Sequence, residues 1–195
     1  SNITKWINTP TKDQAALEKV LENPTSLSIE DLDKLALSLN YKETKSPNKN
    51  SLCKLFFYLH SNRCSLSNQV LSQLDIYAND LLFRSKKVPA DLENLLNLSE
   101  ILIANTRLTT LVQDNQLKKL AEELNCIPSN QERLTNIQKH LIKLFLVIQE
   151  NGKQLTSEVQ DLLGQYFTNL NKRLDQVDYA DIDKFQAYKA ELLAN

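Results

Sequence analysis

Residues 55–81, LFFYLHSNRCSLSNQVLSQLDIYANDL, hold two apolar stripes separated by a polar turn. Leu55 and Leu59 precede Asn62; Leu74, Tyr77, Ala78 and Leu81 follow it. Steps of three and four put residues on one side of a helix. The stretch therefore reads as helix A, a short turn at Asn62, and helix B. Asparagine suits the turn because it tolerates the left-handed backbone that ends helices.

The same order recurs outward from this stretch. Forty-three residues later come Leu98, Leu102 and Asn105, then Leu117, Leu120, Ala121 and Leu124. Eighty-nine residues later come Leu144, Ile148 and Asn151, then Leu163, Tyr166, Phe167 and Leu170. A shorter version precedes them, with Ala16, Val20 and Asn23 before Leu32, Leu35, Ala36 and Leu39. Pro10, Pro47, Pro89 and Pro128 punctuate the series at gaps of 37, 42 and 39 residues. Proline stops a helix and fits the first turn of the next. Ser28 has capping-box spacing to Asp31, and Thr156 or Ser157 suits the start of the last helix B.

The pattern predicts an all-α chain of eight to ten helices in one domain spanning residues 1–195. Its expected hairpin units are 11–41, 48–84, 90–126 and 130–174, with a closing helix at 181–193. Trp6 and Ile7 are expected to cap the first hairpin. Paired helices at a period of about 40 residues resemble HEAT and armadillo repeats, which implies stacked antiparallel hairpins, a short α-solenoid. The stretch 27–39, LSIEDLDKLALSL, is also similar to octotricopeptide helical repeats, some of which bind RNA. The alternative architecture is a closed helical bundle, which needs the same stripes.

Composition narrows the functional classes. The 195 residues are 42% apolar, enough for a continuous core, and carry a net charge of −1. Such a balance gives no global attraction to nucleic acid or anionic membranes. With only Gly152 and Gly164, the chain cannot build a Walker loop or a dinucleotide fingerprint, both of which need several glycines. The densest apolar run, Leu144 to Ile148, ends at Gln149 and Glu150, so no integral membrane segment is expected. Cys53, Cys64 and Cys126 have no CxxC spacing and point to a reducing, cytoplasmic setting. The chain begins Ser1-Asn2 and has no methionine, which reads as a processed piece of a larger parent protein.

Catalytic and metal chemistry find little footing. His60 and Cys64, four apart, could share a helix face and activate the thiol, but Asn62 and Arg63 are expected to end that helix. His140 sits in the polar first half of its helix. Asp175, Asp178, Asp181 and Asp183 lack the glycine and bidentate glutamate of a calcium loop and read as helix-start charges. No catalytic, cofactor or metal site is expected, and the chain is not expected to be an enzyme.

Two surface features remain. Lys42, Lys45, Lys49 and Lys54 surround the Pro47 loop, while Arg84, Lys86 and Lys87 precede Pro89. If the hairpins stack, these loops share an edge whose charges add. Phe56, Phe57 and Tyr58 are consecutive, and each helical step turns about 100°, so one ring is exposed unless the helix is buried all round. The expected function is a non-catalytic protein–protein interaction module of an intracellular or secreted-effector protein, since its Asn- and Lys-rich composition resembles that of AT-rich microbial genomes. The alternative is RNA or anionic-lipid binding by the basic edge, with an anionic ligand as partner.

Overall fold

Ser28 starts the first described α-helix by accepting a hydrogen bond at Oγ from the Asp31 N–H, at 3.1 Å. Glu30 and Asp31 add negative charge where the helix dipole is positive. This helix, α1, runs Ile29–Leu39 after a 3-10 turn at Pro24–Ser26. Then come α2 (Ser46–Ser61), α3 (Asn68–Leu82), α4 (Pro89–Ala104), α5 (Asp114–Asn125), α6 (Asn136–Glu150) and α7 (Ser157–Asn171). The computed structural model describes residues 22–107, 113–126, 136–171, 186–187 and 189–193, and these contain no strand. The expected first helix A, Trp6, Pro10, Pro128 and the aspartates at 175–183 lie outside them. Residues 189–192 of the expected closing helix are helical, with Leu192 buried.

Of the spaced prolines, the two among the described residues act as expected. Pro47 and Pro89 stand in the first turns of α2 and α4, where a missing N–H costs nothing. The asparagines end the A helices in one repeated geometry. The Nδ2 groups of Asn62, Asn105 and Asn151 donate to the carbonyls four residues back, those of Tyr58, Ile101 and Val147, at 2.8, 2.7 and 2.8 Å. Each next residue is left-handed: Arg63 at φ 61°, Thr106 at 54°, Gly152 at 94°. The residue after that donates its N–H to the carbonyl five back: Cys64 to Leu59, Arg107 to Leu102, Lys153 to Ile148. This is one Schellman ending used three times.

The chain divides after Arg107 into two compact units. In the first, α1 packs beside α3 and α2 beside α4, while α3 also packs against α4. Each helix thus meets its next-but-one neighbour. In the second, α5 packs beside α7, with α6 touching α5. Leu35, Ala36, Leu39, Leu74, Tyr77, Ala78 and Leu81 form the B-helix side of the first core. Leu117, Leu120, Ala121, Leu124, Leu163, Tyr166 and Phe167 do the same in the second. Burying each leucine contributes about 1.5–3 kcal/mol.

The units also share their polar cross-links. Asn40 at the end of α1 donates Nδ2 to the Gln73 carbonyl in α3 at 3.0 Å. Asn125 at the end of α5 donates to the Leu162 carbonyl in α7, also at 3.0 Å. Gln73 and Leu162 directly precede the matching core leucines Leu74 and Leu163, so the two bonds are equivalent. Near the other end, Asp33 of α1 accepts from the Ser67 hydroxyl at 2.7 Å. The equivalent Lys118 of α5 pairs with Glu158 of α7 at 2.8 Å. Both units pair a shorter B helix, of 11 or 12 residues, with one of 15.

Candidate functional site

The basic loops converge on one ring. Tyr77 of α3 is buried, and Lys49 Nζ of α2 lies 5.4 Å from its ring centre. The Arg84 guanidinium lies 5.9 Å from the same centre. Members of both loop clusters therefore meet. Burial, and then the Arg84 charge, hold the Lys49 ammonium below the ordinary lysine pKa. Burial pushes the phenol of Tyr77 and the thiol of Cys53 up, so neither ionises near neutrality.

Arg84 is tied into structure. Its guanidinium bonds Asp80 at 3.0 Å and Asp91 at 3.1 Å. The other oxygen of Asp91 accepts the Val88 N–H that opens α4. Lys87 donates to the Arg84 carbonyl at 2.9 Å, closing the end of α3. Lys42, Lys45, Lys54 and Lys86 are exposed. Two carboxylates thus sit inside the cationic cluster and lower its local potential.

Other candidate chemistry comes apart. The helix bearing His60 ends at Ser61, and Arg63 turns left-handed, so Cys64 leaves the face His60 occupies. The His60 ring instead lies 6.5 Å from that of Phe57. No group of three or more His, Cys, Asp or Glu that could hold a metal occurs among the described residues. Of the three consecutive aromatics, Phe56 is core, Phe57 half-buried and Tyr58 exposed.

A different surface emerges on the outer face of α1 and α3. Asp33, Leu37 and Asn40 follow one stripe of α1, at steps of four and three. Asp33 bonds Ser67, the N-cap of α3, and Asn40 bonds Gln73 within it, so Leu37 between them lies along the α1–α3 seam. It is 42% exposed, and Ile29, eight residues back on the same stripe, is 74% exposed. On α3 the Gln73 side chain receives Asn40 at 2.8 Å. One turn further, Ile76 is 53% exposed, and Phe83, seven residues on, is 59% exposed.

The second unit lacks this row. Counted from the matching core leucines, Ile29 corresponds to Asp114, Leu37 to Glu122 and Ile76 to Gln165, all polar and exposed. Phe83 corresponds to Lys172 in sequence. Singly exposed apolar residues are ordinary; four carried by one helix pair and its end, each replaced by a polar residue in the sister unit, are not. Reading the stripes for core positions passed over these residues. The signal was nevertheless present, as apolar residues two places past Leu35 and two and nine places past Leu74 that turn polar in the second unit.

No described helix is long and apolar enough to cross a membrane. No protein-family model matches the chain, and neither a curated protein nor a solved structure matches it.

Proposed function

We propose that this chain is a non-catalytic helical-repeat module that holds another protein on the outer face of its first unit. The exposed row Ile29, Leu37, Ile76 and Phe83 carries the reading, because a partner would remove it from water. Next-but-one packing of helices and the three identical helix endings support a stacked, α-solenoid arrangement over a closed bundle. In such stacks each repeat contacts its neighbours and leaves a long face for binding. Unpaired thiols at Cys53, Cys64 and Cys126 support a reducing, intracellular setting. Binding of RNA or anionic lipid by Lys42, Lys45, Lys49, Lys54, Arg84, Lys86 and Lys87 is the weaker reading, because Asp80 and Asp91 neutralise its one arginine.

The test is affinity capture from cell extract with the wild-type chain and with L37Q/I76Q/F83Q. A protein retained in near-stoichiometric amount by the first and lost from the second is expected. Equal retention by both would move the binding elsewhere, and saturable loss in K45E/K49E/K86E would favour the basic edge.

A further inference from the structure

Three helices end alike, and comparing them isolates one residue. Asn62, Asn105 and Asn151 donate Nδ2 to the carbonyl four back at 2.8, 2.7 and 2.8 Å. The next residue donates its N–H to the carbonyl three back, at 3.0 Å each time: Arg63 to His60, Thr106 to Ile103, Gly152 to Gln149. All three of these donors are left-handed. What differs is the side chain. Arg63 and Thr106 carry one; Gly152 does not, and a Cβ built on it meets nothing within 4 Å. Asn151 and Gly152 are both exposed, and they form the only Asn–Gly pair in the sequence.

An asparagine followed by glycine can attack itself. The Gly152 amide nitrogen loses its proton to solvent and adds to Cγ of Asn151. A bond forms between that nitrogen and Cγ, the Cγ–Nδ2 bond breaks, and Nδ2 takes up a proton and leaves as ammonia. Water then opens the five-membered succinimide at either carbonyl, giving aspartate or isoaspartate. No electrons are exchanged, and water is the only co-reactant. A side chain on the following residue obstructs this approach and stiffens the backbone that must rotate; glycine does neither. The folded ending restrains the reaction, because the leaving amide is held by the Val147 carbonyl and the attacking N–H by that of Gln149. Reaction therefore requires the last turn of α6 to open, and helix ends open at low cost.

We propose that Asn151 is a site of spontaneous deamidation, gated by opening of the α6 ending and selected over Asn62 and Asn105 by Gly152. The product acts on the fold where it forms. Aspartate has no Nδ2 donor for the Val147 carbonyl and puts a carboxylate at the negative end of the helix dipole. Isoaspartate lengthens the main chain by one carbon and displaces the 3.2 Å bond from the Lys153 N–H to the Ile148 carbonyl. Lys153 Nζ also pairs with Asp114 at the start of α5, at 2.8 Å, and a carboxylate two residues away competes for that ammonium. Deamidation thus loosens the second unit at the turn between α6 and α7.

The full-length chain is held in warm, mildly alkaline buffer, and peptide mass spectrometry follows each asparagine. An isoaspartate-specific carboxyl methyltransferase with a labelled methyl donor reads the isoaspartate. Asn151 is expected to convert with first-order kinetics, faster at higher pH, while Asn62 and Asn105 persist. The same chain unfolded in guanidinium chloride should convert Asn151 about tenfold faster or more, the ratio produced by an opening free energy of about 1.4 kcal/mol. G152A should keep its Asn151 amide over several wild-type half-lives, although the substitution weakens the ending. R63G should make Asn62 reactive, because it gives the α2 ending the one feature that sets Asn151 apart. N151D should lower the melting temperature. Conversion of Asn62 or Asn105 as fast as Asn151, unchanged conversion in G152A, or an inert Asn62 in R63G overturns selection by Gly152. Equal rates in the folded and unfolded chain overturn the gate. An Asn151 that stays intact in the folded chain through many half-lives of the unfolded one overturns the site, and conversion without isoaspartate overturns the succinimide route. An unchanged melting temperature in N151D overturns the loosening.

Discussion

Leu37 and Glu122 hold the same place in the two units, as do Ile76 and Gln165. Around them the frame is shared. Equivalent leucines fill both cores, equivalent asparagines bridge α1 to α3 and α5 to α7, and one helix ending recurs in both units. The contrast separates constrained positions of the frame from unconstrained ones. Positions facing the neighbouring helix must stay apolar or bridge, because an unfilled or unpaired site costs stability. Outward positions carry no such demand, so the fold does not require an apolar side chain there.

The shared frame is most exposed to attack at its core. Leu74→Ala and Leu163→Ala remove matching, fully buried side chains. Each should cost about 2–5 kcal/mol in urea denaturation. A large loss at one and almost none at the other would break the equivalence of the units. The bridging asparagines come next. Asn40→Leu and Asn125→Leu, which install the residue found at the matching position 82, should each cost about 1–2 kcal/mol by removing donors to α3 or α7 carbonyls. If thermal melts of both variants match wild type, the bridges do not hold the helices together.

The helix endings give a smaller contrast. Gly152 sits at φ 94° with open space around a built Cβ. Gly152→Ala should therefore cost about 1 kcal/mol, from backbone strain alone. Thr106→Gly relieves that strain and should stabilise, by less than about 1 kcal/mol, because glycine also loosens the unfolded chain. Opposite signs in paired thermal melts are expected; a loss at both would mean Thr106 contributes contacts beyond its turn.

Asp75 adds a pH-dependent difference, since its counterpart in the second unit is Gly164. Its raised pKa means the folded chain binds the proton more readily than the unfolded chain does. Its contribution therefore becomes less favourable as pH rises from the ordinary carboxylate range through the folded pKa. Asp75→Asn should raise the melting temperature slightly at neutral pH and lose that advantage in acid. A gain that persists unchanged in acid would assign it to something other than charge. The smallest effect belongs to the row itself. L37Q/I76Q/F83Q should shift stability by no more than about 0.5 kcal/mol per site, as surface substitutions do. A larger loss would make these residues part of the core.

Much of this frame was legible in the sequence because it obeys local rules. Leu74, Tyr77, Ala78 and Leu81 lie at helical spacing, Asn62 marks a helix end, and Pro47 and Pro89 mark starts. The basic edge was legible as a list of residues but not as a charge balance. Asp80, one turn before Arg84, is visible in sequence; the bond from Arg84 to Asp91 depends on how the loop before Pro89 turns. Leu37 and Ile76 were hidden because a stripe of apolar residues reads as core until neighbours are placed. Only the hydrogen bonds of Asp33 to the N-cap of α3 and of Asn40 to Gln73 locate Leu37 at the seam. The bridge from Asn40 to Gln73 spans 33 residues, beyond the reach of local spacing.

Amide hydrogen exchange of the full-length chain, with and without a saturating amount of a protein it captures from extract, tests the asymmetry of the two outer faces most directly. Slowed exchange is expected in residues 29–39 and 68–83, and unchanged exchange in residues 114–125 and 157–171. Equal protection of both sets, or protection confined to the second, would contradict the account.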